Sequence, residues 1–343
     1  MKLKAQICLD ESILCALKQG KNLLGFSYGS DSSALFYLLK ELNISFDLAM
    51  IDYEMRAASK AEVATAQALA KKFNKQIFTQ KAPQFKSNFE SNARAFRYAF
   101  FEQIMQEKGF NTLILAHQLN DLFEWFLMQF SKGAGIYELL GMKSLEKRVF
   151  KTPLNLDENS KSYTLARPLL NTSKAEILEF LKQNEIFYFK DESNDDEKFW
   201  RNFFRKHFSD EFLKHFSKGV QKSFEYLRKD LKSFASDEIK EFKGILICAI
   251  NESVISKAFK QKGIVLSAAQ RALMLEKDCV ISSKIALCFY QNKALIFEYI
   301  KTSKMPKIFK DECRREKLPP FLRMYLYAKN ISLAEFKSVF NAL

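Results

Sequence analysis

The stretch Leu23-Leu24-Gly25-Phe26-Ser27-Tyr28-Gly29-Ser30-Asp31-Ser32-Ser33-Ala34-Leu35-Phe36 constrains the fold of this chain more than any other. An apolar run reads as a short buried strand. A tight loop of small residues follows, and Ala34 to Leu42 carries the apolar spacing of a helix. Such a loop sits at a helix N-terminus, where unpaired backbone N–H groups and the positive end of the helix dipole favour a phosphate. Ser27, Ser30, Ser32 and Ser33 add hydroxyl donors, and Gly29 allows close approach to the backbone. Asp31 would repel a phosphate unless a divalent cation lay between them, which points to a Mg²⁺-bound polyphosphate. The same residue types serve in ordinary turns and helix caps, so a plain strand-to-helix connection stands beside the phosphate reading.

A chain of 343 residues has room for two domains, and a hydrophobic content of 48% excludes wholesale disorder. The formal net charge of +14 favours polyanionic partners, nucleic acid before membrane, although the 34 phenylalanines suggest that biased usage accounts for part of the excess. The six cysteines form no C-x-x-C pair and no zinc spacing, as expected for reduced, mostly buried thiols of a cytoplasmic protein. No secretory signal and no apolar run long enough to span a bilayer is visible.

In chain order, helical spacing runs from Leu3 to Leu17 and a second strand from Ile44 to Asp52. A helix at Lys60 to Phe73, a strand at Gln76 to Gln80, a helix at Ser91 to Glu107 and a strand at Asn111 to Ala116 follow. This alternation predicts an α/β fold, a parallel sheet with helices on both faces, whose ligands bind beyond the carboxyl ends of the strands. The serine loop and His117 both fall just past a strand, hence on one rim. A helix beginning near Asn120 puts Asp121 and Glu124 on one face, with His117 a turn earlier. Two carboxylates and an imidazole could hold Mg²⁺ and place an acid or base, or could simply be the acidic first turn of a capped amphipathic helix.

The serine loop resembles the S-G-G-x-D-S pyrophosphate loop of the N-type ATP pyrophosphatases, the adenine nucleotide alpha hydrolase-like fold, with Tyr28 in place of the first Gly. Because Tyr resists positive φ, that loop must reach its geometry with less freedom or adopt a different one. Together with Ala116-His117-Gln118-Leu119-Asn120-Asp121-Leu122-Phe123-Glu124, it resembles the tRNA(Ile)-lysidine synthetase family, whose second motif runs A-H-H-x-D-D-x-x-E. Gln118 and Asn120 depart from that pattern, while His117, Asp121 and Glu124 keep it. Further matches are Met55-Arg56, Ala93-Arg94 with Arg97-Tyr98, Lys132-Gly133-Ala134-Gly135 with Gly141-Met142, an Arg167-Pro168-Leu169-Leu170 strand, Asp191-Glu192-Ser193-Asn194, and Arg201-Asn202-Phe203-Phe204-Arg205. Ser173-Lys174-Ala175-Glu176 reads as a capping box that opens a helix through Leu181.

The resemblance implies ligation of free L-lysine to carbon 2 of the wobble cytidine in tRNA(Ile) with a CAU anticodon, using ATP and Mg²⁺. It implies ATP binding by Ser27, Tyr28, Gly29, Ser30, Asp31 and Ser32, and metal binding by Asp31 and Asp121. Catalytic roles fall to Asp31, His117, Asp121, Glu124, Arg201 and Arg205. Contacts with tRNA are expected from Arg94, Arg97, Lys132, Arg201 and Arg205, and from Arg314 and Arg315 near the C-terminus. The expected layout is a catalytic domain over 1–210, a basic helical linker over 211–243 and a small α+β tRNA-binding module over 244–343. Residues 198–232 hold ten Lys/Arg against four Asp/Glu, with apolar positions Phe212, Phe216, Val220, Phe224, Leu227 and Leu231 near helical spacing. That suits a solvated surface helix or a phosphate-tracking one. A non-catalytic RNA-binding protein on a degenerate ATP-pyrophosphatase fold, or another tRNA-modifying enzyme of this superfamily, are the alternatives.

Overall fold

The protein is seen as a computed structural model that describes residues 7–53, 58–85, 87–150, 162–190, 200–234, 239–275, 277–301 and 305–341. It divides into two compact units, Met1–Ala134 with Glu138–Glu225, and Gly135–Tyr137 with Tyr226–Leu343. No helix among the described residues is long and apolar enough to cross a membrane.

The first unit runs α1 (Glu11–Gln19), β1 (Asn22–Gly25), α2 (Ser30–Glu41), β2 (Phe46–Asp52), α3 (Ala58–Lys72), β3 (Ile77–Lys81), α4 (Phe89–Lys108) and β4 (Thr112–Ile114). The chain continues through α5 (Leu119–Phe130), α6 (Ile136–Leu139), β5 (Leu145–Val149), β6 (Ser162–Ala166), α7 (Lys174–Gln183), α8 (Trp200–Phe204), a π-helical turn at Arg205–Ser209, and α9 (Asp210–Phe234), with α6 and α9 each divided between the two units. The sheet order is β3-β2-β1-β4-β6-β5, parallel throughout except for β5. Strand order therefore runs outward to one side from β1 and restarts on its other side at β4, which makes the β1/β4 boundary the switch point where open α/β sheets bind ligands. Leu24 lies level with Ile114 there, so the loops that follow both strands leave the sheet side by side.

Strand alternation divides the core. Leu24, Ile114 and Ala166 face the cluster shared with α1, α2, α3 and α7, whereas Leu23, Leu113 and Leu165 face α4. Two expectations are corrected. Residues 7–10 are not helical: the Asp10 side chain accepts the Ser12 N–H and starts the first helix at Glu11. Arg167-Pro168-Leu169-Leu170 is the turn after β6, not a strand, and its carbonyls accept the amides of Leu170 and Thr172. Met55-Arg56 and Asp191-Glu192-Ser193-Asn194 lie outside the described residues.

The second unit carries β7 (Lys240–Phe242), β8 (Ile245–Ala249), α10 (Glu252–Gln261), α11 (Ala268–Met274), β9 (Cys279–Ile281), β10 (Ile285–Tyr290), β11 (Lys293–Glu298), α12 (Lys307–Arg315), α13 (Pro320–Ala328) and α14 (Leu333–Asn341). Its antiparallel sheet, ordered β7-β8-β11-β10-β9, is packed on both faces, by α10 and α11 on one and α12 to α14 on the other. The six cysteines are unpaired; Cys8 and Cys15 are exposed rather than buried.

Candidate active site

The loop after β1 closes on itself. The Ser27 amide donates to Ser32 Oγ at 3.3 Å, and that hydroxyl donates to the Gly29 carbonyl at 3.1 Å. Gly29 is the N-cap of α2 and carries no side chain to cover the first amides of that helix, which stay available to an anion. Tyr28 takes φ +61°, a left-handed conformation worth about 1–3 kcal/mol of strain in a non-glycine residue. Packing holds it there: the ring is buried edge-on against Phe26, Phe187 and Phe189, and its carbonyl accepts the Phe189 amide at 3.0 Å. Tyr28 thus offers a ligand its backbone, with the ring committed to the core.

The connection after β4 is built oppositely. Gln118 caps α5, accepting the Asn120 amide at 2.6 Å, and Asp121 Oδ2 reaches back to the Gln118 amide at 2.9 Å. The capped-helix reading was therefore correct for one carboxylate oxygen. The other, Oδ1, accepts from the Arg201 guanidinium. Asn120 explains its own departure from Asp. Its amide oxygen accepts the Lys174 backbone N–H at 3.2 Å while its amide nitrogen donates to Asp210 at 2.9 Å. A carboxylate could not donate to Asp210.

Glu124, fully buried, accepts from Arg201 Nε at 2.9 Å and from Arg205 Nε and its terminal nitrogen at 2.7 and 3.2 Å. Burial raises the Glu124 carboxyl above its ordinary range, against the pull of Arg205. Burial also pushes Asp121 upward, but Arg201, the Gln118 amide and Arg205 outweigh it and the carboxyl ends below its usual value. His117 goes down to about 3, because burial and the neighbouring Arg167, Arg201 and Arg94 disfavour imidazolium despite Asp121. Its Nδ1 is buried without a hydrogen-bond partner, leaving a neutral ring with an open acceptor or donor site.

Asp31, at the start of α2, feels the Asp121 charge, so the two junctions present their acids to a shared space. Burial raises Asp31, with Lys174 opposing. Lys174 Nζ donates to Asp31 Oδ1 and to Ser30 Oγ, each at 2.6 Å. No group of three His, Cys, Asp or Glu among the described residues could form a metal cage. Two carboxylates beside a phosphate loop fit Mg²⁺, which keeps its waters and takes one or two protein carboxylates together with substrate phosphates.

The structure therefore brings together Asp31, His117, Asp121, Glu124, Arg201 and Arg205. Arg94 stacks its guanidinium 5.0 Å from the Tyr98 ring centroid and lies near enough to act on His117. Arg97 is half-buried on the same helix, and Lys132 is exposed just after α5. Arg314 and Arg315 are exposed on α12 of the second unit. Sequence reasoning missed Lys174 as a group of the site, although a lysine in the first turn of a capping box was a signal. On α9, Phe212 and Phe216 of the apolar stripe are about half exposed; Phe212 stacks on Phe123, and Phe224 is buried against Phe126.

Residues 2–212 match the PP-loop domain family. Over 327 residues the chain is 52% identical to a tRNA(Ile)-lysidine synthase of Campylobacter jejuni, spanning 95% of this chain and 98% of that one. It is 39% identical over 322 residues to a protein of the same description from Helicobacter pylori, with 91% of each chain covered. Among solved structures, a U34-tRNA thiolase from Methanococcus maripaludis shares the fold, with a TM-score of 0.50 at 17% identity over 68% of this chain and 77% of that one. With the phosphate loop and the acidic helix side by side at the switch point, this chain belongs to the tRNA(Ile)-lysidine synthase family.

Proposed function

We propose that this chain ligates free L-lysine to carbon 2 of the wobble cytidine in tRNA(Ile) with a CAU anticodon, using ATP and Mg²⁺ in the cytoplasm. The observation that carries the reading is the meeting of the Asp31 loop with Asp121, Glu124, Arg201 and Arg205 at one switch point. The names of the relatives support the substrate.

The serine loop holds the diphosphate end of ATP. The cytidine carbonyl oxygen attacks the α-phosphorus, the bond from that phosphorus to the bridging oxygen breaks, and diphosphate departs with AMP left on the cytidine oxygen. Mg²⁺ held by Asp31 and Asp121 would supply positive charge to the phosphates. Arg201 and Arg205 stand where they can add more as charge develops. The lysine ε-amine then attacks carbon 2, and the carbon–oxygen bond breaks with AMP leaving. Burial raises the Glu124 carboxyl, which makes its carboxylate a stronger base, and holds His117 at about 3, so Glu124 is the better acceptor for the amine proton and His117 a neutral orienting group. The second unit, with Arg314 and Arg315, serves as a tRNA-binding module, together with Arg94, Arg97 and Lys132.

The test is incorporation of radiolabelled L-lysine into a CAU-anticodon tRNA(Ile) transcript with ATP and Mg²⁺, against elongator tRNA(Met) and the Asp121→Asn variant. Label on tRNA(Ile) alone, reduced at least about 100-fold in Asp121→Asn, is expected. Tight tRNA binding with no label and no AMP would favour the non-catalytic RNA-binding alternative.

A further inference from the structure

Lys174 is oddly placed by local rules. As the first residue of α7, it puts a cation at the positive end of a helix dipole, where Glu176 is the ordinary choice. The side chain crosses to another helix start, with Nζ 2.6 Å from both Ser30 Oγ and Asp31 Oδ1. Its backbone is pinned as well, since its amide donates to Asn120 at the head of α5 and Ser173 is locked by the capping box with Glu176. The first turns of α2, α5 and α7 are thereby joined through Lys174, by its ammonium to α2 and its backbone amide to α5.

The pairing competes with Asp31 as a metal ligand, because the ammonium occupies Oδ1 and its charge repels a cation at the same carboxylate. It is also weak enough to exchange. The side chains of Lys174 and Asp31 are 34% and 28% exposed, so solvent screens their attraction. An ammonium displaced from Asp31 lies beside the loop whose uncapped amides suit a phosphate.

On the reading of the site as an ATP site, we propose that Lys174 is a substrate-binding residue that exchanges partners when the nucleotide arrives. In the free protein it neutralises Asp31 and covers Ser30. With nucleotide bound, the ammonium moves to the oxygens of the β- and γ-phosphates and Asp31 turns to Mg²⁺, and Lys174 keeps hold of the diphosphate after the α–β bond has broken. The exchange keeps Asp31 compensated at every stage and makes metal binding depend on the polyphosphate.

The exchange has a signature of two opposite signs in the full-length protein. Calorimetric titration with inorganic pyrophosphate in Mg²⁺ should show Lys174→Gln binding about 10- to 100-fold more weakly than wild type, the loss expected for a charged hydrogen bond, with Lys174→Arg recovering most of it. Titration with Mn²⁺ alone, followed by electron paramagnetic resonance, should show Lys174→Gln binding the cation more tightly than wild type, because Asp31 has lost its competitor. In turnover, KM for ATP should rise while KM for lysine and tRNA holds. Unchanged pyrophosphate affinity in a folded Lys174→Gln protein, beside a wild type that binds it, would overturn the exchange and leave Lys174 as a neutraliser of Asp31. A wild type that binds neither pyrophosphate nor ATP would overturn the ATP site itself.

Discussion

The two strand-to-helix junctions at the switch point start from the same geometry and solve the helix start in opposite ways. After β1, the N-cap is Gly29, with no side chain over the first amides of α2, and serine hydroxyls line the loop. After β4, Gln118 and Asp121 close the first turn of α5 with a capping box and leave a carboxylate oxygen turned to Arg201. An uncapped helix start invites an anion; a capped one bearing acids repels an anion and welcomes a cation. Neighbouring junctions of opposite preference make a site for an anion that carries its own cation, and Mg²⁺-bound polyphosphate is such a ligand.

The acidic junction should be the easier to break. Glu124→Gln removes the charge facing two guanidiniums that converge on it, and should lower stability by about 3 kcal/mol or more while abolishing ligation, as read by denaturant unfolding and lysine incorporation. Asn120→Asp sets a carboxylate against Asp210 and removes a donor. It should lower stability by about 1–3 kcal/mol even though it restores the residue that the family resemblance expects there, and Asn120→Ser should cost less. At the open junction, a Cβ on Gly29 would meet only Ser27 Oγ, at 3.5 Å, and φ is −74°. Gly29→Ala should therefore fold within about 1 kcal/mol of wild type and lose ATP affinity instead, which separates ligand space from protein packing.

The smallest effect is spectroscopic. With its pKa held at about 3, His117 should show no imidazole titration by NMR between pH 5.5 and 8, the assignment made with His117→Asn. The sign for stability follows from the lowered value. The unfolded imidazole takes a proton below its ordinary pKa of about 6.5 and the folded one does not, so the contribution is complete above pH 6.5 and fades as pH falls towards 3. Wild type should accordingly lose more stability than His117→Asn between pH 7 and pH 5.

Much of this was legible in the chain because it is local. Hydrophobic period placed β1, α2, β4 and α5 within a few residues, and the Ser173–Glu176 capping box was visible as four letters. The family resemblance pointed to Arg201 and Arg205. What stayed hidden is contact across the chain. Lys174 lies 143 residues from Asp31, and no periodicity reports which loop a side chain will reach. Asn120 looked like a lost acid because its partners, Lys174 and Asp210, come from two other helices. Tyr28 looked like an obstacle to positive φ, since the aromatic residues that hold it there, Phe187 and Phe189, follow some 160 positions later.

The most direct test of the paired junctions is a crystal structure with Mg²⁺ and the α,β-methylene analogue of ATP. The β- and γ-phosphates are expected against the amides of Gly29 to Asp31, with Lys174 turned onto them and Mg²⁺ between Asp31 and Asp121. Phosphates seated away from the β1–α2 loop, with Lys174 still on Asp31, would contradict this arrangement.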